Sequence, residues 1–408
     1  MFTRTYDDRP IPQTHVRALQ RVSQSWGLSP ADHETASVLE VGCAHGVNLM
    51  AMAARLPRAT FLGIDIDPNV IEIARSRAAE AELANVRFEV GDVQTFDVPS
   101  GTFDYAIAHG VLSWVSEPVG VALFGLFRRA LSSEGIGYIS YDAMPGAALR
   151  ETIGLGLRGL ETDDVEQVRA VLAALHADAK PNTLQGAWVH SEVSAALGQP
   201  ASFLEQQFLS PHQRALAVTE VWDQALAQRL RFVDDVAETG VPAAALARTV
   251  EVISRVAPNR RAAEQLLDAA IYRQFRASVF TRSARPMAHT GMDTQPDPGG
   301  AQVSARPRVL PLSRVEARSL GFVSTPDLGH RTLHPLHAML VEALDGTQSV
   351  AELEALVVER VAQGHLSLPT ESGEPATAQE AQLGASAVVA SALNDLAEAG
   401  ILLQAADS

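Results

Sequence analysis

The sequence has one cysteine, Cys43, among 408 residues. An intramolecular disulfide and a multi-cysteine zinc site are therefore excluded, and the fold must be held by apolar packing. Cys43 itself reads as a small filler at a turn. Lysine is nearly as scarce, Lys180 being the single example, so arginine carries the other positive charges, a usage that reads as coding bias. Positive charge as a whole is short: 32 basic residues face 48 acidic ones, a net charge of −16. Such a surface repels phosphate backbones and anionic lipid, which argues against nucleic acid and membrane as partners. The span from Val309 to Ser408 is more acidic still, with 4 basic and 13 acidic residues, which disfavours a cofactor sensor that acts on DNA through this span. No apolar run approaches the ~18 residues needed to cross a bilayer. The start, MFTRTYDDRP, lacks the apolar core of a secretion signal, so the expectation is a cytoplasmic protein.

Hydrophobic residues are plentiful at 47%, with 20% charged, the balance of a folded chain. At ~150 residues per domain the length predicts two or three domains. From Ser37 to about Tyr141, short β-rich runs alternate with helical patterns, which predicts an α/β, doubly wound parallel sheet. The strands are expected at Ser37–Val41, Thr60–Asp65, Val86–Val90, Phe103–Ala108 and Gly137–Tyr141. Leu49, Ala53 and Leu56 mark one helix face between the first two, and Asp67 before Pro68 reads as a cap and first-turn proline opening the next helix. Residues 1–146 form the expected core. Residues 147–229 read as a helical insertion, and 230–285 as a segment that completes the sheet through β-like runs at Leu230–Val233 and Phe275–Phe280. A Pro- and Gly-rich linker at 286–308 precedes a small domain at 309–408. In that domain Ser349 and Glu352 form a capping box, Val388–Ala399 reads as a helix stopped by Gly400, and Glu371–Glu380 reads as a solvated acidic loop.

The chemistry is expected in the first strand-to-helix loop, Val38-Leu-Glu-Val-Gly-Cys-Ala-His-Gly46, where small residues let the backbone approach a ligand. The spacing is Gly42-x-Ala44-x-Gly46, not the G-x-G-x-x-G of dinucleotide sites, and Glu40 lies two residues before the first glycine. A carboxylate there opposes pyrophosphate and suits the ammonium of an amino-acid ligand. Asp65 ends the second strand, placed to accept ribose hydroxyls. Asp92 follows the third, placed to accept from an adenine amino group while Ile66 and Val93 sandwich the ring. Amine, ribose and adenine together describe S-adenosylmethionine. Ala44 and Asn48 join the same cofactor set, and S-adenosylhomocysteine is the implied product.

The runs VLEVGCAHGVNL, FLGIDIDP, FDYAIAHGVLSWV and GIGYISYDAMPG carry a resemblance, as does Pro12-Gln-Thr-His15 after Tyr6. The sequence resembles bacterial class I methyltransferases that carry a methyltransferase regulatory domain, among them rickettsial outer-membrane-protein lysine methyltransferases. The family's His-Glu-Tyr-Leu motif is reduced here to His190-Ser-Glu-Val193, and its Phe-Arg run is Gln274-Phe-Arg276. The family often has Tyr where this chain has Leu112, and Trp where it has Ala147, so two aromatics near the expected pocket are missing. The resemblance implies a Rossmann-like core, a helical insertion serving as dimerisation segment or substrate cap, a C-terminal winged-helix-like domain and a homodimer.

Methyl transfer is an in-line displacement that positioning can largely catalyse, so no nucleophilic side chain is required. Expected pocket residues are Tyr6 and His15 from the N-terminal arm, His109 (also in the cofactor set) and Trp114 after the fourth strand, and Tyr141 at the end of the fifth. The acceptor is expected to be a protein or peptide, with lysine N-methylation favoured; O- or N-methylation of a small molecule or natural-product peptide is the alternative. His330, His334 and His337 have helical metal-ligand spacing, but Pro335 interrupts it, and no metal is expected.

Overall fold

The computed structural model describes residues 8–160, 162, 164–236, 243–289, 303–368 and 375–403. Among these, seven strands form one sheet: β1 (Ser37–Val41), β2 (Thr60–Asp65), β3 (Val86–Val90), β4 (Phe103–Ala108), β5 (Leu131–Asp142), β6 (Arg231–Asp235) and β7 (Phe275–Thr281), in the order β3-β2-β1-β4-β5-β7-β6. Strands β1 to β5 are parallel, whereas β7 runs antiparallel to both β5 and β6. The order reverses between β1 and β4, which opens a crevice at the carboxyl ends of these strands. The first four strands lie where the sequence pattern puts them. The fifth starts six residues before its expected start, because Leu131 already pairs with Phe103 and a register shift carries the ladder on to Ile136.

Ahead of the sheet, α1 (Val16–Ser25) follows a short 3-10 turn at Pro12–Thr14. Helices α2 (Val47–Ala53) and α3 (Pro68–Glu80) connect β1 to β2 and β2 to β3, and α4 (Glu117–Ala130) precedes β5. Asp67 caps α3, its Oδ1 accepting from Asn69 N at 2.8 Å, with Pro68 in the first turn. The side chains of each strand alternate between two cores. Val38, Tyr105, Ile107, Tyr138 and Val279 face one, with α1 to α3, and Leu39, Ala106, Ile139, Tyr141 and Phe280 face the other, with α4.

The insertion comprises α5 (Ala148–Arg158), α6 (Val165–Asp178), α7 (Leu184–Leu197) and α8 (Ala201–Leu204), with a small core of its own around Leu157, Val168, Leu172, Val193 and Phe208. Helix α9 (Val218–Ala227) leads into β6, and α10 (Ala243–Val256) and α11 (Arg260–Ile271) lead into β7. Beneath β7 the fully buried guanidinium of Arg276 is ringed by Asp235, Glu264 and Asp268, a cluster that repays its desolvation only while every member is present.

The C-terminal part holds α12 (Pro311–Leu320), a two-stranded ribbon of β8 (Phe322–Ser324) and β9 (His330–Thr332), α13 (Pro335–Ala343), α14 (Val350–Ala362) and α15 (Ala378–Glu398). Its first elements do not form a core apart. Leu312, Val315, Phe322 and Leu328 pack into the same cluster as Val47, Met50 and Val70, and Arg55 donates to Ser324 O at 2.7 Å. The capping box at Ser349 and Glu352 is present. A second one, Thr377 with Glu380, starts α15 ten residues before the expected start, so the end of the acidic run is helical and not loop; residues 369–374 lie outside the described set. His330 lies on β9, while His337, on α13, meets Asp395 at 3.3 Å, and no group of three or more metal-type ligands occurs among the described residues. No described helix is long and apolar enough to cross a membrane.

Candidate functional site: the crevice at the carboxyl ends of β1, β2 and β4

The loop after β1 turns three times through the left-handed region, at Gly42 (φ 73°), Ala44 (φ 46°) and Gly46 (φ 75°). Gly46 has a second reason to lack a side chain: a Cβ would lie 2.5 Å from the Phe88 ring and 3.0 Å from Ala74. At Gly42 it would lie 2.6 Å from Val111, so the loops after β1 and β4 touch here and leave exposed backbone between them. The amides of Gly42 and Cys43 both donate to Ile64 O, at 2.8 and 3.1 Å. Cys43 is buried among these groups, and burial pushes its thiol well up, which fits a filler.

Asp65 braces the loop from β2. Its Oδ2 accepts from Ala44 N and its Oδ1 from Asp67 N, each at 3.0 Å, leaving each oxygen a further lone pair. Burial raises its pKa, opposed by these backbone donors. Ile66, next in the chain, is 67% exposed, an apolar side chain at the crevice mouth, while Val93 is buried. Asp92 accepts from Gln94 N at 2.9 Å through Oδ1.

Glu40 is the floor of the site. It is buried, its Oε1 accepts from Asn48 Nδ2 at 2.8 Å, and its Oε2 has no hydrogen-bond partner among the described residues. Burial pushes its pKa up to about 8 against the opposing Asn48 bond, with the Asp65 charge adding to the rise. A buried carboxylate oxygen with no donor is costly unless something supplies one. Asn48 in turn holds the N-terminal arm: its Oδ1 accepts from Ile11 N at 3.0 Å and from Thr14 Oγ1 at 3.1 Å. Farther out, Asp8 bonds His45 Nδ1 at 2.6 Å and pairs with Arg77 at 3.1 Å, fastening the arm across the glycine loop.

The sequence reading named His15 from the arm but missed Thr14 and Asp8. The Pro-Gln-Thr-His motif was the available signal, whereas nothing local marks Asp8. His15 spends Nδ1 capping α1, accepting from Arg17 N at 3.0 Å, and burial depresses its pKa to about 4. Tyr6 lies outside the described residues.

His109 follows β4, and its Nδ1 lies 2.9 Å from Tyr138 Oη, with the two rings stacked at 6.0 Å and the Phe275 ring 5.7 Å away. Trp114 closes a 3-10 turn at Leu112–Trp114 and is half-buried. Tyr141 requires a correction. Strand alternation puts it on the opposite face from Glu40 and Tyr138, it is 1% exposed, and its hydroxyl meets Ser278 Oγ at 3.4 Å beside the Arg276 cluster. It presents nothing to the crevice. Leu112 and Ala147, the positions of the two missing aromatics, are likewise buried, Leu112 against Gly120.

The residues present fit S-adenosylmethionine on chemistry: a buried carboxylate oxygen with no partner among the described residues for an ammonium, a small-residue loop with exposed backbone at Gly42, and a braced carboxylate with free lone pairs. Comparison with known proteins agrees. Residues 38–135 match the family described as methyltransferase domain, and residues 305–401 that described as PKMT, C-terminal winged helix domain. Two uncharacterized proteins of Rickettsia prowazekii are each 35% identical, over 154 and 148 residues, or 36% of this chain in both cases. These matches span 62% and 27% of the relatives' own lengths. The solved structure of PKMT2 from Rickettsia typhi in complex with AdoHcy has a TM-score of 0.84 at 17% identity, covering 98% of this chain and 100% of that one. That likeness shows a shared fold over 98% of this chain. The chain thus carries, in this order, a region similar to a methyltransferase domain at 38–135 and one similar to the C-terminal winged helix domain of PKMT at 305–401.

Proposed function

We propose that this protein is an S-adenosylmethionine-dependent methyltransferase acting on lysine of a protein acceptor. The observation that carries the cofactor half is Glu40, whose buried Oε2 lacks a donor among the described residues at the floor of a glycine-lined crevice. Glu40 Oε2 would accept from the ammonium of S-adenosylmethionine, Asp65 would accept from the ribose, and Ile66, Asp92 and Val93 would receive the adenine. The cofactor brings an activated methyl group. The chain's own work is to orient it through the loop of residues 42–46 and Glu40, to cover it with the arm held by Asn48, and to present an acceptor beside His109. A neutral amine acceptor needs no nucleophilic side chain, and the semi-enclosed aromatic surroundings of His109 favour the uncharged form by desolvation.

The protein-lysine half is supported by the match of residues 305–401 to the winged helix domain of PKMT and by the full-length likeness to PKMT2. Mass spectrometry after incubation with methyl-labelled S-adenosylmethionine and a cell extract tests it. Label on protein lysine is expected; label confined to small molecules would replace the acceptor assignment while keeping the cofactor one. Absence of S-adenosylmethionine binding by calorimetry would overturn both.

A further inference from the structure

Because β7 runs antiparallel to β5, its first residues arrive at the same sheet edge where β1, β2 and β4 end, and Phe275 pairs with Asp142 there. The Phe275 ring is 37% exposed and stands 5.7 Å from the His109 ring, whose loop presses on Gly42 through Val111. Just before it, Tyr272 adopts a left-handed backbone (φ 52°) and lays its ring on Trp188 of α7, centroids 4.9 Å apart at 21°. Trp188 is itself 44% exposed. One turn along α7, Glu192 accepts from Gln274 Nε2 at 2.6 Å and from Arg150 Nε at 3.3 Å. Asp142 also reaches Arg150, at 3.7 Å, so two carboxylates share one guanidinium. Arg273, the other nearby cation, is turned away onto Asp268 at 2.6 Å.

Two half-open aromatic pairs, Phe275 with His109 and Trp188 with Tyr272, beside a guanidinium shared by two carboxylates, offer the chemistry that receives a cation on a long apolar stem: the rings take the methylenes and the charge, and the carboxylate takes the ammonium. We propose that Phe275, Tyr272 and Trp188, with Glu192, form a shelf that seats the protonated side chain of an acceptor lysine on its way to His109. This deepens the methyltransferase reading and rests on it. The step is binding alone; it makes Glu192 and Trp188 specificity-determining and leaves the transfer to the crevice.

The test is calorimetric titration of the full chain, saturated with S-adenosylhomocysteine, with a glycine-flanked lysine peptide and its norleucine counterpart. The lysine peptide is expected to bind the tighter, and Glu192→Gln and Trp188→Ala each to weaken it about fivefold, with Trp188→Phe restoring most of the loss. Leu184→Ala, on the same helix and 74% exposed, is expected to change nothing. S-adenosylhomocysteine affinity is expected to be equal in all variants. Equal binding of the two peptides, no binding of the lysine peptide, or parent-like binding by both Glu192→Gln and Trp188→Ala would overturn the shelf while leaving the cofactor assignment intact. Failure of the parent chain to bind S-adenosylhomocysteine would remove both.

Discussion

Asn48 Nδ2 lies 2.8 Å from Glu40 Oε1, and this one bond joins the N-terminal arm to the floor of the crevice. The same amide carries Ile11 N and Thr14 Oγ1 on its oxygen. Asn48→Ala is expected to weaken S-adenosylmethionine binding by about 1–3 kcal/mol, because Glu40 loses its one donor among the described residues and the arm loses one of its two anchors, the other being Asp8 on His45 and Arg77. Thr14→Val should reproduce part of this loss and Thr14→Ser little of it, measured by calorimetry on each. Equal affinities across the three would show that the Asp8 contacts with His45 and Arg77 suffice to hold the arm.

Glu40 makes binding pH-dependent with a defined sign. With its pKa near 8 in the free protein it is mostly protonated at pH 7, and an arriving ammonium ionises it. Binding should therefore release a proton and tighten as pH rises from 6 to about 8, approaching at most about tenfold per unit. Glu40→Gln should abolish the proton release, read from calorimetry in buffers of different ionisation enthalpy. The same shift acts on stability: a carboxyl raised from 4.5 to about 8 contributes stability that is fully present below 4.5 and lost as pH climbs through 8. Glu40→Gln should thus gain stability relative to the parent at pH 8, checked by thermal unfolding without cofactor.

Gly46→Ala combines a left-handed backbone with a Cβ driven into Phe88 and Ala74. A loss of about 1–3 kcal/mol in stability is expected, together with weaker cofactor binding, since the loop must move to accommodate it. Denaturant unfolding compared with Gly110→Ala, where φ is also positive but nothing crowds the added atom, separates steric from backbone cost.

Tyr141→Phe removes only a hydroxyl that meets Ser278 Oγ at 3.4 Å within the core. Turnover should stay within about twofold of the parent, a difference under 0.5 kcal/mol. A fall of orders of magnitude would place this hydroxyl at the reacting atoms and contradict its burial. Arg276→Met removes a fully buried guanidinium shared by Asp235, Glu264 and Asp268, of which Asp268 keeps Arg273 and Glu264 keeps Arg260, and should cost about 3–5 kcal/mol in thermal or denaturant unfolding.

Cutting the chain before α12 should destabilise the methyltransferase domain itself. Leu312, Val315, Phe322 and Leu328 are each at least nine-tenths buried against the face built from α2 and α3, and losing them exposes that face. A lower melting temperature and aggregation are expected in the truncated protein; an unchanged melting temperature would show that this packing contributes little.

Much of this protein is local and therefore legible in order. Alternation of short β-rich runs with helical periods located the parallel strands, because residues buried on both faces of a sheet are apolar without interruption. The loop of residues 42–46 drew notice in the sequence because backbone approach demands small residues, and Glu40 because of its place two positions before the first glycine; its burial is a tertiary fact. The capping residues Asp67 and Ser349 announced their helices, since the unsatisfied amides they accept from belong to the next turn of the same chain. Tertiary structure alone decided the rest. It chose the face on which Tyr141 sits, since a period of two does not say which core each parity meets. It brought Thr14 and Asp8 onto the crevice, through partners more than thirty positions away in sequence. It also turned β7 antiparallel, so that Phe275 comes within 5.7 Å of the His109 ring from a segment otherwise readable only as a strand, and it packed α12 into the core shared with α2 and α3 across the intervening linker. Each of these depends on contacts between distant residues, whose energy is gained only when the whole sheet has assembled.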